Sequence, residues 1–160
     1  MNRGLPAEET KRGVPDRAEF VLELPSDLRM IEAAVTYLVD RCRSYAFNGP
    51  RLSLNFRVGI TEALANAVLY GNEGDPGKHV RVEVSIDSSR VALRVEDEGR
   101  GFDPHAVPDP TLPENLHRSG GRGLFLIREL MDEVEFSDRG NSVRLVLLRE
   151  PARARRSAAE

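Results

Sequence analysis

A carboxylate and an amide stand one helical turn apart, at Glu62 and Asn66, in a segment predicted to be helical over roughly residues 51–70. At about 100° per residue, both fall on the side of the helix opposite its aliphatic stripe. The carboxylate can act as a general base and the amide oxygen as a magnesium ligand. A solvated helix face is the common alternative for such a pair. Ala65 and Leu69 flank the pair and are less polar than a fully wet face should be, but spacing alone is a weak signal.

A second carboxylate, Asp97, follows a predicted strand. The alternation of apolar residues over 91–95 continues to Asp97, which places its side chain on the apolar face of the sheet. An ionised carboxylate there is costly unless other groups donate hydrogen bonds to it. Loop amides at the end of the strand are one source of such bonds. A ligand is the other, because Gly99 and Gly101 let the backbone approach a bound molecule closely, and an exocyclic amino group such as that of adenine would fit as donor.

The third candidate is the segment Gly121, Arg122 and Gly123, which stands where another helix is predicted to begin. Unpaired N–H groups and the helix dipole at such a position favour anions, and glycine admits a phosphate against the backbone. A flexible linker that ends in a helix is the alternative. The segment is not a Walker A loop, because the pattern Gly-x-x-x-x-Gly-Lys-Ser/Thr is absent.

A long loop, residues 99–120, joins the two glycine motifs. It holds Pro104, Pro108, Pro110 and Pro113 of the ten prolines in the chain. A loop of this length inside a compact domain is either functional or disordered. Its place between two candidate ligand contacts favours a lid that closes over a nucleotide.

The elements that must position these residues follow from hydrophobic periodicity. Alternating apolar residues predict a strand near 20–24, a hairpin over 80–95 and a second hairpin over 136–147. Apolar residues at steps of three and four predict a helix over 28–45 and a later helix with Met131 on its apolar face. This order predicts an α+β two-layer sandwich, a mostly antiparallel sheet with the helices on one face.

Bulk properties limit the class of protein. The 160 residues suffice for one domain, expected at 18–149 between a disordered leader at 1–17 and a disordered tail at 150–160. The net charge of −3 argues against direct nucleic-acid binding, which usually needs a basic face. The single cysteine, Cys42, lies on the apolar seam of the first helix, and the lack of an internal disulfide favours a reducing cytoplasm. No apolar run has membrane-spanning length, so no membrane contact is predicted.

The polar motifs stand in the same order as those of a known family. "GITEALANAVLYGN" resembles the N box of the GHKL ATPase superfamily, "VEDEGRGFDP" its first glycine box, and "SGGRGLFLIRELMDEVEF" its second. Within that superfamily the chain resembles the bacterial anti-sigma factor serine/threonine kinases over roughly residues 18–149. Tyr70 departs from the pattern, because these kinases often have histidine at that position.

The resemblance implies the Bergerat fold, with ATP held between the sheet and the helices under a mobile lid. Glu62 would be the general base that accepts the proton of an attacking hydroxyl. Asn66 would ligate Mg2+ that bridges the phosphates. Asp97 would accept a hydrogen bond from the adenine amino group.

The same resemblance assigns the glycine boxes to two parts of the pocket. Gly99 and Gly101 would shape the wall beside the adenine. Gly121 and Gly123 would face the phosphates, and Arg122 would add positive charge there.

The resemblance also implies partners. Members of the kinase family phosphorylate a STAS-domain anti-sigma antagonist on Ser or Thr and hold a sigma factor inactive, so the chain is predicted to be such an ATP-dependent kinase. The alternative is a non-catalytic nucleotide-binding module that regulates a partner by binding only, although the presence of Glu62 favours catalysis. A homodimer also stays open, since the seam of the first helix could pack against a second subunit.

Overall fold

The computed structural model describes residues 17–45, 47–106, 111–112 and 122–149. Its strands are β1 (Ala18–Pro25), β2 (His79–Ile86), β3 (Arg90–Glu96), β4 (Glu133–Phe136) and β5 (Ser142–Leu148). Its α-helices are α1 (Ile31–Ser44), α2 (Arg57–Asn66) and α3 (Arg122–Leu130). The predicted order of strands and helices is therefore confirmed. Apart from Arg17, the terminal segments predicted to be disordered lie outside the described residues.

One antiparallel sheet contains these strands in the order β1-β2-β3-β5-β4. Val84 of β2 lies beside Leu93 of β3, and Leu93 lies beside Leu145 of β5. All three side chains are buried. The opposite face of the sheet carries charges, among them Arg94 and Glu96, which pair at 3.0 Å. The sheet buries one face and exposes the other to water, as the alternation of apolar and polar residues predicts.

The helices pack on the buried face of the sheet, which confirms the α+β two-layer sandwich. Val35, Leu38 and Cys42 of α1 are buried there. Burial raises the pKa of the Cys42 thiol to about 12, so this residue is an apolar packing group and not a nucleophile. Leu28, predicted on the same seam, is instead 48% exposed because it lies in a separate 3₁₀ turn before α1.

The helix that contains α2 widens at both ends. Arg51–Phe56 before α2 and Ala67–Gly71 after it form π-helical turns. In the second turn the N–H of Asn72 bonds to the carbonyl of Ala67 at 2.7 Å, one residue further back than in an α-helix. The turn brings Gly71 and Asn72 to the end of β3. In the described part of the chain, no helix combines the length and apolar character needed to cross a membrane.

The second hairpin differs from the prediction in its boundaries. β4 ends at Phe136, where the sequence predicted a strand to begin, and Met131 follows the last residue of α3. β4 is so short that only Val134 and Phe136 contact the core. An alternation of two residues is too brief to be recognised in a sequence.

Candidate functional site

A cavity of about 510 Å³ opens between α2, α3, the end of β3 and the start of β5. Its lining includes most of the residues that the sequence singled out for chemistry: Glu62, Asn66, Asp97, Gly101, Arg122 and Gly123. Gly99 lies behind Asp97 and not in the lining itself. Gly121 lies outside the described residues. Motifs that are far apart in sequence thus surround one cavity.

Asp97 lines the cavity directly after β3, on the inner side of the sheet. Its N–H bonds to the carbonyl of Asn141 at 2.9 Å, and its Oδ1 accepts the N–H of Gly99 at 2.8 Å. Among the described residues, no donor bonds to its second oxygen, Oδ2. Burial raises the pKa of the Asp97 carboxyl, and the Gly99 N–H partly offsets that rise. A partly desolvated carboxylate with one open acceptor atom suits a hydrogen-bond donor on a ligand.

Two glycines leave the space that this carboxylate and its loop occupy. A methyl group added at Gly71 would lie 2.1 Å from Oδ2 of Asp97. One added at Gly99 would lie 1.9 Å from the carbonyl oxygen of Gly71. Ordinary contacts begin at 3.4 Å, so only glycine fits either position with this backbone. The sequence analysis did not single out Gly71, although it lies within the N-box segment, between Tyr70 and Asn72.

At the other end of the cavity, Glu62 and Asn66 of α2 face the start of α3. A methyl group added at Gly123 would lie 2.7 Å from Oε2 of Glu62 and 3.4 Å from Oδ1 of Asn66. Because Gly123 has no side chain, these two polar groups can lie close to the backbone at the start of α3. A hydrogen bond also joins the turn before α2 to the end of α3: Nδ2 of Asn55 donates to the carbonyl of Leu130 at 3.0 Å.

The two polar ends of the cavity are separated by the stretch of helix between Glu62 and Gly71, on the order of 10 Å. An extended nucleoside triphosphate has a comparable length between its base and its terminal phosphate. An acceptor at the Asp97 end and a carboxylate with an amide at the other end therefore fit a nucleotide that lies along the helix.

An aromatic pair that the sequence interpretation missed forms part of the cavity wall. The rings of Phe102 and Phe136 meet edge to face with centroids 5.4 Å apart. Their loops interlock through two glycines with left-handed backbone. Gly101 (φ +82°) packs on the carbonyl of Arg139, and Gly140 (φ +73°) packs on the carbonyl of Phe102. The sequence predicted only a hairpin around Gly140, and neither aromatic residue carries a local signal of its place.

A family model described as the histidine kinase-like ATPase domain matches residues 24–147. The chain belongs to this family. The matched segment contains every described residue of the cavity named above. Membership in an ATPase family makes ATP the nucleotide that the domain uses.

Curated relatives of this ATPase domain have more specific names. The domain is 32% identical over 99 residues to the serine-protein kinase RsbW of Listeria innocua. This alignment covers 56% of this chain and 61% of that protein. It is 37% identical over 79 residues to the anti-sigma F factor of Bacillus cytotoxicus. That alignment covers 48% of this chain and 53% of that protein. The chain thus spans between about half and three fifths of the length of these two relatives.

A solved structure is also similar to the ATPase domain. It contains the RsbU and RsbW domains of a protein from Mycobacterium tuberculosis. The TM-score is 0.55 at 15% identity, over 82% of this chain and 32% of that chain. The likeness shows a shared fold, in agreement with the GHKL-type fold expected from the motifs.

The residues present fit both ATP and a magnesium ion. The open Oδ2 of Asp97 could accept a hydrogen bond from an exocyclic amino group such as that of adenine, and backbone N–H groups at the start of α3 suit phosphate oxygens. In the part of the chain that the structure describes, no three His, Cys, Asp or Glu side chains form a metal cluster. Mg2+ in nucleotide sites takes most of its ligands from phosphates and water and few from the protein, and the amide oxygen of Asn66 would be one of these few.

Proposed function

We propose that this ATPase domain is a serine/threonine protein kinase that acts as an anti-sigma regulatory factor in the cytoplasm. Its substrate is a STAS-domain anti-sigma antagonist, and its second partner is a sigma factor that it sequesters. The names of the RsbW and anti-sigma F relatives support these partners. The observation that carries the kinase activity is the position of Glu62, which lies close to Gly123 at the start of α3 and at the opposite end of the cavity from Asp97.

In this proposal ATP lies along α2. Asp97 accepts the hydrogen bond of the adenine amino group, and Gly99 and Gly101 shape the wall around it. Asn66 would hold Mg2+, which neutralises phosphate charge when bound. The phosphates face the residues at the start of α3: Gly121, Arg122 and Gly123.

Phosphoryl transfer needs positioning and charge neutralisation more than covalent help from the protein. The hydroxyl oxygen of the partner's Ser or Thr forms a bond to the γ-phosphorus, while the bond from that phosphorus to the bridging oxygen of ADP breaks. The electron pair of the broken bond leaves with ADP. Glu62 accepts the proton of the attacking hydroxyl.

Labelled ATP and a purified STAS-domain antagonist test this function. We expect the wild-type protein to transfer label to the antagonist. Glu62→Gln is expected to keep its ATP affinity and to lower the transfer rate about 100-fold or more. Asp97→Asn is expected to lose ATP binding, because an amide N–H would face the adenine amino group. Glu73→Gln is a matched control, since Glu73 lines the same cavity but is exposed and has no proposed role.

Transfer by Glu62→Gln at the wild-type rate would refute the base assignment. A second outcome is that the wild-type protein binds ATP and the antagonist tightly but transfers no label. That result would support the non-catalytic module, which regulates its partner by binding only.

A further inference from the structure

Asn72 is a buried polar residue that joins three segments of the chain. Its side chain is 0% exposed. Its Nδ2 donates to the carbonyl of His79 at 3.0 Å and to Oγ of Ser26 at 3.3 Å. Its Oδ1 accepts the N–H of Glu98 at 2.8 Å. One amide thus connects the chain after β1, the start of β2 and the chain after β3, and a fully bonded buried amide favours a single arrangement of these segments.

The bond to Glu98 acts directly on the peptide that carries Asp97. Glu98 lies between Asp97 and Gly99, whose N–H holds Oδ1 of the carboxylate. On the helix side, the backbone N–H of Asn72 closes the π-helical turn. Its neighbour Gly71 packs against Oδ2. Asn72 therefore fixes both the helix and the strand where they meet the Asp97 carboxylate.

We propose that Asn72 is a positioning residue that sets the direction of the Asp97 carboxylate, and thereby the preference of the pocket for adenine over guanine nucleotides. This inference rests on the proposed function, in which Asp97 is the acceptor for the adenine amino group. Guanine has a carbonyl oxygen where adenine has that amino group, and a carboxylate oxygen repels it. The preference therefore depends on where Oδ2 points.

The set of bonds requires an amide of this length. Asparagine supplies two donors and an acceptor from one short side chain. Alanine would leave the N–H of Glu98 and the carbonyl of His79 without this partner, and serine is too short to reach both. Ser26→Ala is a matched control, because it removes only the 3.3 Å bond on the side of Asn72 that does not contact the Asp97 peptide.

The test measures the dissociation constants of ATP and GTP, together with thermal unfolding, for wild type, Asn72→Ala, Asn72→Ser and Ser26→Ala. We expect both Asn72 variants to bind ATP about tenfold more weakly with little change for GTP, so the ratio of the two constants falls about tenfold. Ser26→Ala is expected to keep the wild-type ratio. A purely structural role for Asn72 would lower the folded fraction, which weakens apparent binding of both nucleotides alike.

An unchanged ratio in a folded Asn72 variant overturns the inference, and so does an equal fall of the ratio in Ser26→Ala. If neither Asn72 variant folds, amide hydrogen exchange of the wild-type protein decides. Saturating ATP, but not GTP, is expected to slow exchange at Glu98 and Gly99, and exchange that ATP leaves unchanged overturns the inference. Two other results would refute the proposed function itself and not only this inference. In the first, the wild-type protein does not bind ATP; in the second, the Asp97→Asn protein binds ATP as tightly as wild type.

Discussion

Replacing Gly71 with alanine tests whether the position of the Asp97 carboxylate sets nucleotide affinity. The added methyl group would lie 2.1 Å from Oδ2 and 2.2 Å from Cγ of Asp97, where ordinary contacts begin at 3.4 Å. The carboxylate must therefore move by more than an ångström. It is tethered, because Oδ1 accepts the Gly99 N–H at 2.8 Å and the backbone N–H bonds to Asn141 at 2.9 Å. The movement turns Oδ2 away from the cavity or breaks the Gly99 bond.

The size of the effect follows from the bond that is lost. A hydrogen bond to a charged acceptor contributes about 1.5–3 kcal/mol, which corresponds to roughly 10- to 150-fold in the dissociation constant of ATP. Crowding of the packed turn is expected to lower the free energy of unfolding by about 1–3 kcal/mol. Calorimetric titration with ATP, well below the unfolding temperature, measures the first quantity, and denaturant unfolding measures the second.

Gly77→Ala is the control for this substitution. Gly77 is exposed, and its added methyl group would meet only Oδ1 of Asp75, at 3.2 Å. We expect its ATP affinity to equal that of wild type. A folded Gly71→Ala protein that also binds ATP within about twofold of wild type would show that the carboxylate beside Gly71 is not the adenine acceptor.

Three further predictions concern other parts of the same site. Because burial raises the pKa of Asp97 in the folded state, its contribution to stability is present at low pH and is lost as the pH rises through that raised pKa. The nucleotide-free Asp97→Asn protein is therefore expected to gain stability over wild type between about pH 3 and pH 7 in denaturant titrations, and a constant difference would contradict the desolvation. Gly123→Ala places a methyl group 2.7 Å from Oε2 of Glu62, so phosphoryl transfer is expected to fall about 100-fold, by more than ATP affinity falls, whereas an equal loss of both would point to a blocked pocket. Glu73 has a left-handed backbone (φ +54°), so Glu73→Gly is expected to raise the free energy of unfolding by about 1 kcal/mol, and no gain in chemical denaturation would mean that its side chain offsets the strain.

The parts of the fold that were predicted correctly are those whose signal is local. The alternation over 80–95 and the apolar seam of α1 identified a hairpin and a helix because side-chain direction repeats every two residues in a strand and every 3.6 in a helix. The same periodicities put Glu62 and Asn66 on the cavity side of the second helix, and Asp97 on the inner side of the sheet. The prediction that Leu28 packs on the apolar seam of α1 was wrong, because a 3₁₀ turn interrupts the helical period there.

The sequence by itself determined the strands, the helices and the polar residues of the motifs, since each depends on neighbours within a few positions. Only the tertiary structure decided what surrounds them. Phe102 and Phe136 meet because β5 lies between β3 and β4 and because two glycine loops interlock. Gly71 reaches Asp97 because the helix ends in a π-helical turn, which the side-chain hydrogen bonds of Asn72 to distant segments hold in place. Such contacts join residues far apart in the chain, and their geometry is set by packing that no local pattern encodes.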